Sequence, residues 1–500
     1  MNLIRSSLIF SFFNGVSKLS GFIRDILLAK FIGASILSDI FYIALRLPMI
    51  LRASVTDETF NSAYIPIYGD VISENKDRFA FGIFGFLLLV FTPIVIIAEI
   101  LMPNIIMFLA PGIVGEDNIS LLIKSSRIIF PYLLITILSS VFIGILNSQN
   151  KFGLSSFLPT IINLTIIFSI LSFPMIQGEK IFLLSWSVII GGLIQVILLL
   201  YVVENKFWKK ISNPLVILND IKSFVWLLSP TLASSLFQQF NLVIGIILAS
   251  YISGGMSFLY YSQRIYWLPL TLIGISIGSV LLTKLTESLA NENENDAKNL
   301  QTEAYKYCIS IIMPLTFFMI FLSDEIISLL FERGEFDSNS STQTSNALKV
   351  FLIGLPAACL IKVLTPAFYA KKIPNIPLKV NGICSIINII ITLFLFEKIG
   401  FLAIPLALSS TGWINLFLII KEHNKNISFS LPNDSLKYAM RYIALSIGII
   451  LIIFLFDMIF LGNSKLLIES LSKIIVFGSL YIFFIYKYDS EIFNLIKPKW

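Results

Sequence analysis

The sequence predicts an all-α polytopic membrane protein with about fourteen transmembrane helices. Of its 500 residues, 56% are hydrophobic and 13% are charged, and the mean hydropathy is +0.88. A soluble globular domain has a charged share near a quarter, so this composition excludes a soluble protein. The apolar residues fall in runs of roughly 18 to 25, the length that a helix needs to cross a bilayer.

The predicted spans follow one another closely along the whole chain. They lie near residues 6–30, 36–54, 80–110, 121–146, 156–176, 181–203, 222–252, 257–284, 306–330, 345–369, 376–396, 399–420, 438–461 and 467–486. The connections between them are too short to hold a soluble catalytic domain. Two polar stretches, near residues 284–306 and 423–437, are predicted to be solvated loops.

An internal repeat organises these spans. The stretch ILLAKFIGASILSDIFYIALRLP, which ends at Pro48, returns in outline as IILASYISGGMSFLYYSQRIYWLP, which ends at Pro269. A second pair, residues 159–163 and residues 377–381, recurs in the same order at nearly the same separation. Six spans separate the members of each pair, and an even number predicts a parallel repeat about an axis along the membrane normal.

The repeat predicts the domain organisation. Residues 1–205 and 215–421 should form two six-helix lobes, and two additional helices should follow within residues 437–487. Transporters built in this way bind their substrate between the halves, near the middle of the bilayer. A central cavity between the lobes is therefore predicted.

Lysine and arginine residues are concentrated in connections on one side of the predicted membrane. Cytoplasmic loops are rich in these residues, so this side is predicted to be cytoplasmic, together with both termini. The cations that predict this orientation are Lys76, Arg78, Lys206, Lys209, Lys210, Lys371, Lys372, Lys421, Lys425, Lys487, Lys497 and Lys499.

The first two spans carry charges that a lipid-facing helix would not keep, each costing about 2.5 to 3.5 kcal/mol at the bilayer centre. Positions seven apart lie on nearly the same face of a helix, so Lys18 is predicted to stack with Asp25 and Asp39 with Arg46. Two explanations are open: a polar cavity for an anionic ligand, or snorkelling with structural ion pairs. We favour the cavity. The charges are Lys18, Arg24, Asp25, Asp39, Arg46 and Arg52.

The second half of the repeat adds two intramembrane cations, Arg264 and Lys362, with no acidic residue comparably deep beside them. The cavity should therefore be net cationic. A cationic cavity favours an anionic substrate, and a pyrophosphate suits the forked donors of arginine.

Several kinds of chemistry lack their residues in this sequence. The only histidine, His423, lies in a polar stretch, and the three cysteines show no CxxC spacing, so we predict neither a catalytic histidine nor a metal site. The chain contains no GxxxxGKS/T phosphate-binding loop. We expect no catalytic residues and no cofactor. In a membrane protein the net charge of +6 does not indicate a nucleic-acid partner, and we expect none.

Four blocks in order resemble the MurJ (MviN) family of lipid II flippases, of the multidrug/oligosaccharidyl-lipid/polysaccharide exporter superfamily. The resemblance covers nearly the whole chain. The blocks are SKLSGFIRDILLAKFIGAS with SDIFYIALRLPMILR, FPYLLITILSSVFIGILNSQNKFGLSSFLPTIIN, YYSQRIYWLPLTLIGISIGSVLLTKL, and IKVLTPAFYAKKIPNIPLKV.

The resemblance implies a cationic cavity that faces alternately in and out, and a groove beside the last two helices for a polyprenyl tail. It implies substrate-binding roles for Lys18, Arg24, Arg52 and Arg264. Lys18 stands where an arginine is usual, so the charge is kept but the forked, bidentate donors of a guanidinium are lost. The charges expected to support the cavity are Asp25, Asp39, Arg46 and Lys362.

The function implied is translocation of lipid II from the cytoplasmic to the outer leaflet of the bacterial inner membrane, in peptidoglycan biosynthesis. The implied partners are lipid II, membrane lipids and other wall-synthesis proteins, with the membrane potential or an ion gradient as driving force. Two alternatives are a flippase for another polyprenyl-pyrophosphate-linked oligosaccharide and an ion-coupled exporter. A membrane glycosyltransferase would need a carboxylate pair and a sizeable extracellular loop, and neither is apparent in the sequence.

Overall fold

The computed structural model describes residues 3–55, 60, 64, 67–68, 76–149, 151–174, 179–203, 218–427, 434–460 and 466–489. Most residues in these ranges are helical, and no strand occurs in them. The predicted all-α class is confirmed. The chain divides into two compact units, Met1–Ser257 with Arg333–Phe336, and Phe258–Glu332 with Asp337–Trp500.

The first unit contains nine helices of the described residues and the first turn of a tenth. They are α1 (Leu3–Ile32), α2 (Ile36–Val55), α3 (Lys76–Ile100), α4 (Met102–Leu109), α5 (Glu116–Ile129), α6 (Tyr132–Ser148), α7 (Phe152–Leu171), α8 (Lys180–Val202), α9 (Leu218–Ala249) and the start of α10 (Gly255–Pro269).

The second unit contains the rest of α10, a π-helical segment (Leu270–Ile275), a 3-10 turn (Gly400–Leu402) and nine further helices. These are α11 (Ser276–Ala290), α12 (Glu294–Phe321), α13 (Ser323–Phe331), α14 (Ser338–Ile353), α15 (Leu355–Ala370), α16 (Asn375–Ile399), α17 (Ala403–Asn426), α18 (Ser435–Phe460) and α19 (Leu466–Tyr488).

Each predicted span lies on one helix or on two consecutive helices. Nine helical stretches of the described residues are long and apolar enough to cross a membrane, and this identifies a multi-pass membrane protein. Helices α1 and α2 are not among the nine, because charged residues interrupt their apolar sequence. The count of fourteen crossings stays a prediction.

Proline and glycine explain why several spans divide into two helices. Pro103 lies in the first turn of α4. Backbone N–H groups in the first turn have no acceptor within the helix, so proline loses no hydrogen bond there. Gly354 separates α14 from α15, and a Cβ there would lie 2.7 Å from the Cα of Ser409 on α17. The π-helical segment begins directly after Pro269. Such breaks are typical of packed membrane helices.

The predicted loop at residues 284–306 is wrong, because most of it is helical. Helix α11 continues to Ala290 and α12 already begins at Glu294. The Asn293 side chain caps α12 by accepting a hydrogen bond from the backbone N–H of Asp296. Polar residues here extend the two helices instead of forming a long loop.

The first unit is organised by the packing of α1 against α7 and of α7 against α8. The short segment Arg333–Phe336 joins this unit at the end of α1, where the backbone N–H of Glu335 donates to the Lys30 carbonyl at 2.9 Å. Gly334 has a φ of +63°, and a Cβ there would lie 2.2 Å from the Lys30 carbonyl oxygen. This contact therefore requires glycine.

In the second unit, α18 packs along α12 and α19 packs on α18. The rings of Phe318 and Phe477 stack with their centroids 4.0 Å apart, beside the buried side chains of Ile449 and Ile453. The last two helices therefore share a hydrophobic core with the rest of this unit. The predicted boundary at residues 205–215 lies outside the described residues, so the two six-helix lobes stay a prediction.

Candidate functional site: buried charges in the N-terminal helices

Arg24 lies in the second half of α1 and is held by two side chains. Its Nε and Nη2 atoms donate to Oδ1 of Asp25 at 3.0 and 2.6 Å, and its Nη1 atom donates to Oδ1 of Asn163 on α7 at 2.9 Å. The guanidinium is therefore fixed in orientation by one carboxylate and one amide.

Asn163 is itself fixed on its other side. Its Nδ2 atom donates to the Ser17 carbonyl at 3.1 Å and to the Ser20 hydroxyl at 3.0 Å. A Cβ at Gly21 would lie 3.3 Å from this Nδ2 atom, so glycine allows α7 to approach α1 this closely. These contacts anchor the amide and determine which of its ends faces Arg24.

The charges of this cluster are largely removed from solvent. Arg24 is 8% exposed and Asp25 is 1% exposed. Burying two charges is costly, and the cost is offset only when they pair with good geometry and further hydrogen bonds. The three hydrogen bonds of the Arg24 guanidinium meet this requirement. Removing either Arg24 or Asp25 would leave the other as a buried charge without its partner.

The remaining predicted residues of α1 and α2 lie in different surroundings. Lys18 is exposed and pairs with no described residue, so the predicted stacking with Asp25 does not form an ion pair. Arg46 and Arg52 are both partly buried, and the Nη1 atom of Arg52 lies 3.9 Å from the Met49 sulfur.

Asp39 contacts the start of a helix rather than a cation. Its carboxylate accepts hydrogen bonds from the backbone N–H groups of Gly254 (2.7 Å) and Ser257 (2.9 Å), and from the Ser257 hydroxyl (2.7 Å). The Ser38 hydroxyl also contacts that of Ser257 at 2.8 Å. No lysine or arginine among the described residues donates to Asp39. The carboxylate thus caps the N-terminus of α10, where the helix dipole favours negative charge.

The two predicted cations of the second unit are exposed. Arg264 on α10 donates from Nη2 to the Tyr260 hydroxyl at 3.0 Å and stacks over the Tyr260 ring. Lys362 lies on α15, where its backbone carbonyl is close to Gly278; a Cβ there would lie 2.3 Å from this oxygen. The predicted meeting of these cations with those of α1 and α2 stays a prediction.

A second buried cation was not predicted. Lys473 on α19 is 2% exposed and donates to Oε1 of Glu325 at 3.2 Å, and its Nζ atom lies 3.0 Å from Oδ2 of Asp457. The signal was present in the sequence, because Asp457 and Lys473 interrupt the last two apolar runs. The role of Asn163 was also missed, although residues 159–163 were recognised as part of the repeat.

Potential ligands for metals are scattered in the described part of the chain. No three histidine, cysteine or acidic residues there lie close enough to hold a metal ion. His423 was predicted to lie in a polar loop, and this is wrong. It is buried in α17 with its ring edge-on to Phe368. Helix α17 continues beyond the apolar run to Asn426, so residue 423 belongs to the helix and not to the loop that follows it.

The chain is similar to known proteins over most of its length. Residues 28–474 match the family model described as lipid II flippase MurJ. A probable lipid II flippase MurJ of Rickettsia prowazekii is 30% identical over 98% of this chain and 100% of its own length. A probable lipid II flippase MurJ of Rhizobium tropici is 32% identical over 80% of this chain and 76% of its own length.

Solved structures show the same fold. A lipid II flippase MurJ in an inward closed conformation aligns with a TM-score of 0.83 and 26% identity, over 96% of this chain and 99% of that one. An inward-facing multidrug transporter of the MATE family aligns with a TM-score of 0.67 and 12% identity, over 82% of this chain and 94% of that one. The chain belongs to the MurJ family of lipid II flippases.

Proposed function

We propose that the chain translocates lipid II, the undecaprenyl-pyrophosphate-linked precursor of peptidoglycan, from the cytoplasmic to the outer leaflet of the inner membrane by alternating access. Family membership supports the substrate. The observation that carries the proposal is Arg24, a buried guanidinium held in a fixed orientation within a largely apolar helix. Ionisable residues at membrane depth are costly and mark substrate pathways.

An oriented arginine suits this substrate in particular. The planar guanidinium presents several donors that match the oxygens of a phosphate, whereas lysine acts as a point charge. In this proposal Arg24, Arg52 and Arg264 bind the pyrophosphate, assisted by Lys18. Four further charged residues set the net charge of the cavity, namely Asp25, Asp39, Arg46 and Lys362.

Transport would then follow from movement of the two lobes. The sugar-peptide head enters the cationic cavity while the polyprenyl tail stays in the bilayer, and rocking of the lobes releases the head on the outer side. No covalent bond forms or breaks, so the protein acts as a transporter and not as an enzyme. Both termini lie in the cytoplasm, and other wall-synthesis proteins are its partners.

The energy source belongs to the same proposal. No cofactor is required, since the membrane potential acts on the charges of the cavity with about 2.3 kcal/mol per charge for each 100 mV. An ion gradient is the second candidate. Dissipating the potential alone, with the ion gradients kept, separates the two.

The test measures lipid II exposed at the surface of cells depleted of their own flippase and supplied with this chain. We expect the wild type to restore exposure and Arg24→Ala, expressed to the same level, to fail. Lys349→Ala is the matched control, because Lys349 pairs with Asp324 near a helix end (2.7 Å). It should behave as the wild type.

The other outcomes separate the function of the protein, the role of Arg24 and the identity of the substrate. Restoration by Arg24→Ala would keep the function and remove Arg24 from the mechanism. Failure of a correctly inserted wild type would contradict lipid II as substrate. Accumulation of undecorated surface glycan precursors with intact wall synthesis would instead favour a flippase for another lipid-linked oligosaccharide.

A further inference from the structure

We infer that Asn163 is a positioning residue for substrate binding, which orients Arg24 without neutralising it. The inference rests on the proposed function, because it assigns Arg24 to the pyrophosphate. Asn163 touches no substrate in this account and acts only through the arginine.

The contacts leave the amide a single orientation. Its Oδ1 atom accepts from Nη1 of Arg24 at 2.9 Å, while its Nδ2 atom donates to the Ser17 carbonyl and the Ser20 hydroxyl. Rotating the amide by half a turn would set its NH₂ group against a guanidinium that can only donate. The side chain is 7% exposed, so the lost hydrogen bonds could not readily be replaced by water.

Charge explains why an amide suits this position. Asp25 already places one carboxylate on Nε and Nη2 of Arg24. A second carboxylate on Nη1 would orient the guanidinium equally well, but it would cancel the attraction that the arginine offers to an anion. A neutral acceptor fixes the third nitrogen and adds no negative charge.

The repeat shows that this motif does not require an arginine partner in order to fold. The corresponding asparagine, Asn381 on α16, accepts a hydrogen bond from Nδ2 of Asn415 at 2.8 Å. Each copy of the motif thus places an asparagine four residues after a helical proline, and in the first unit its acceptor serves a cation.

Two variants separate positioning from packing. Asn163→Ala removes the acceptor. Asn163→Asp keeps the shape and the acceptor, but it adds a charge and loses the donor to Ser17 and Ser20. We expect the affinity of the purified protein for lipid II to fall about tenfold in Asn163→Ala and further in Asn163→Asp, since a charged hydrogen bond is worth about 1.5 to 3 kcal/mol. Asn118→Asp makes the same chemical change at a half-buried site in the first turn of α5 and should bind as the wild type.

A role confined to filling space predicts the opposite order, with Asn163→Asp closest to the wild type. That order, or wild-type affinity in both variants, would overturn the inference. A second readout is the effect of Asn163→Ala in an Arg24→Ala background, which should be close to none because the residue acts through Arg24. An additive loss would contradict positioning. Wild-type protein that does not bind lipid II would instead refute the proposed function.

Discussion

Arg24 in the first unit and Lys473 in the second are both buried cations, but their partners differ. Lys473 lies between the carboxylates of Glu325 and Asp457, so this cluster carries a net negative charge. Arg24 is held by the Asp25 carboxylate and the neutral amide of Asn163. A cation between two carboxylates has little attraction left for an anion, whereas one oriented by an amide keeps more of it.

The locations of the two clusters agree with this difference. Lys473 joins α19 to α18 and α13, beside the hydrophobic core around Phe318 and Phe477. Its ion pairs link the last two helices to each other and to α13. Arg24 lies among hydroxyl and amide groups between α1 and α7, which suits a site for a polar ligand. Both residues are buried cations. We call Lys473 the structural charge and Arg24, for which substrate binding is proposed, the binding charge.

The largest expected effect is on the structural charge. Lys473→Met leaves Glu325 and Asp457 without their cation, and we expect the free energy of unfolding to fall by about 3 kcal/mol. Chemical unfolding in detergent measures the change. The triple variant with Glu325→Gln and Asp457→Asn removes every charge and should recover most of the loss. Equal stability of the wild type and Lys473→Met would refute a structural role.

The next effect concerns the binding charge. Arg24→Lys keeps the charge and loses the fork, so we expect the affinity for lipid II to fall about tenfold, or about 1.4 kcal/mol. The converse change, Lys18→Arg, supplies a fork at an exposed position and should raise the affinity. Binding titrations with purified protein measure both. Unchanged affinity in Arg24→Lys would mean that only charge matters at this site.

The buried carboxylate of Asp39 allows the same comparison for a negative charge. Asp39→Asn removes the charge that caps α10 and replaces one acceptor by a donor facing backbone N–H groups. We expect the free energy of unfolding to fall by about 1 kcal/mol, seen as a lower melting temperature. Ser38→Ala removes no charge, only the hydroxyl contact with Ser257 and two contacts with Ser35, and should cost less. A larger loss in Ser38→Ala would contradict the capping role.

The smallest effect is expected at an exposed cap. Asp337 accepts from the Ser340 backbone N–H at 2.8 Å at the start of α14, and hydrogen bonds from Ser340 lower the pKa of this carboxyl. A lowered pKa means that the stabilisation is present above the ordinary aspartate pKa and is lost as the pH falls through the lowered value. Asp337→Asn should remove this pH dependence and change stability by less than about 0.5 kcal/mol. A pH profile of the melting temperature, compared with that of the wild type, tests this.

Sequence reasoning predicted the all-α membrane class because long apolar runs allow few other structures in a bilayer. It also selected Arg24 and Asp25, since charges inside such runs are conspicuous. It placed Asp39 with Arg46 from helical spacing alone and missed the backbone N–H groups of α10, which are more than 200 residues away in sequence. Spacing describes one helix and carries no information about its neighbours.

The sequence by itself determined the membrane class, the positions of the apolar runs and the charges that interrupt them, because these depend on composition and local periodicity. Only the tertiary structure decided which partner each charge has. The amide of Asn163 reaches Arg24, and Glu325 reaches Lys473, through contacts between helices that are distant in sequence. Those contacts determine whether a buried cation is available to an anion or committed to holding helices together.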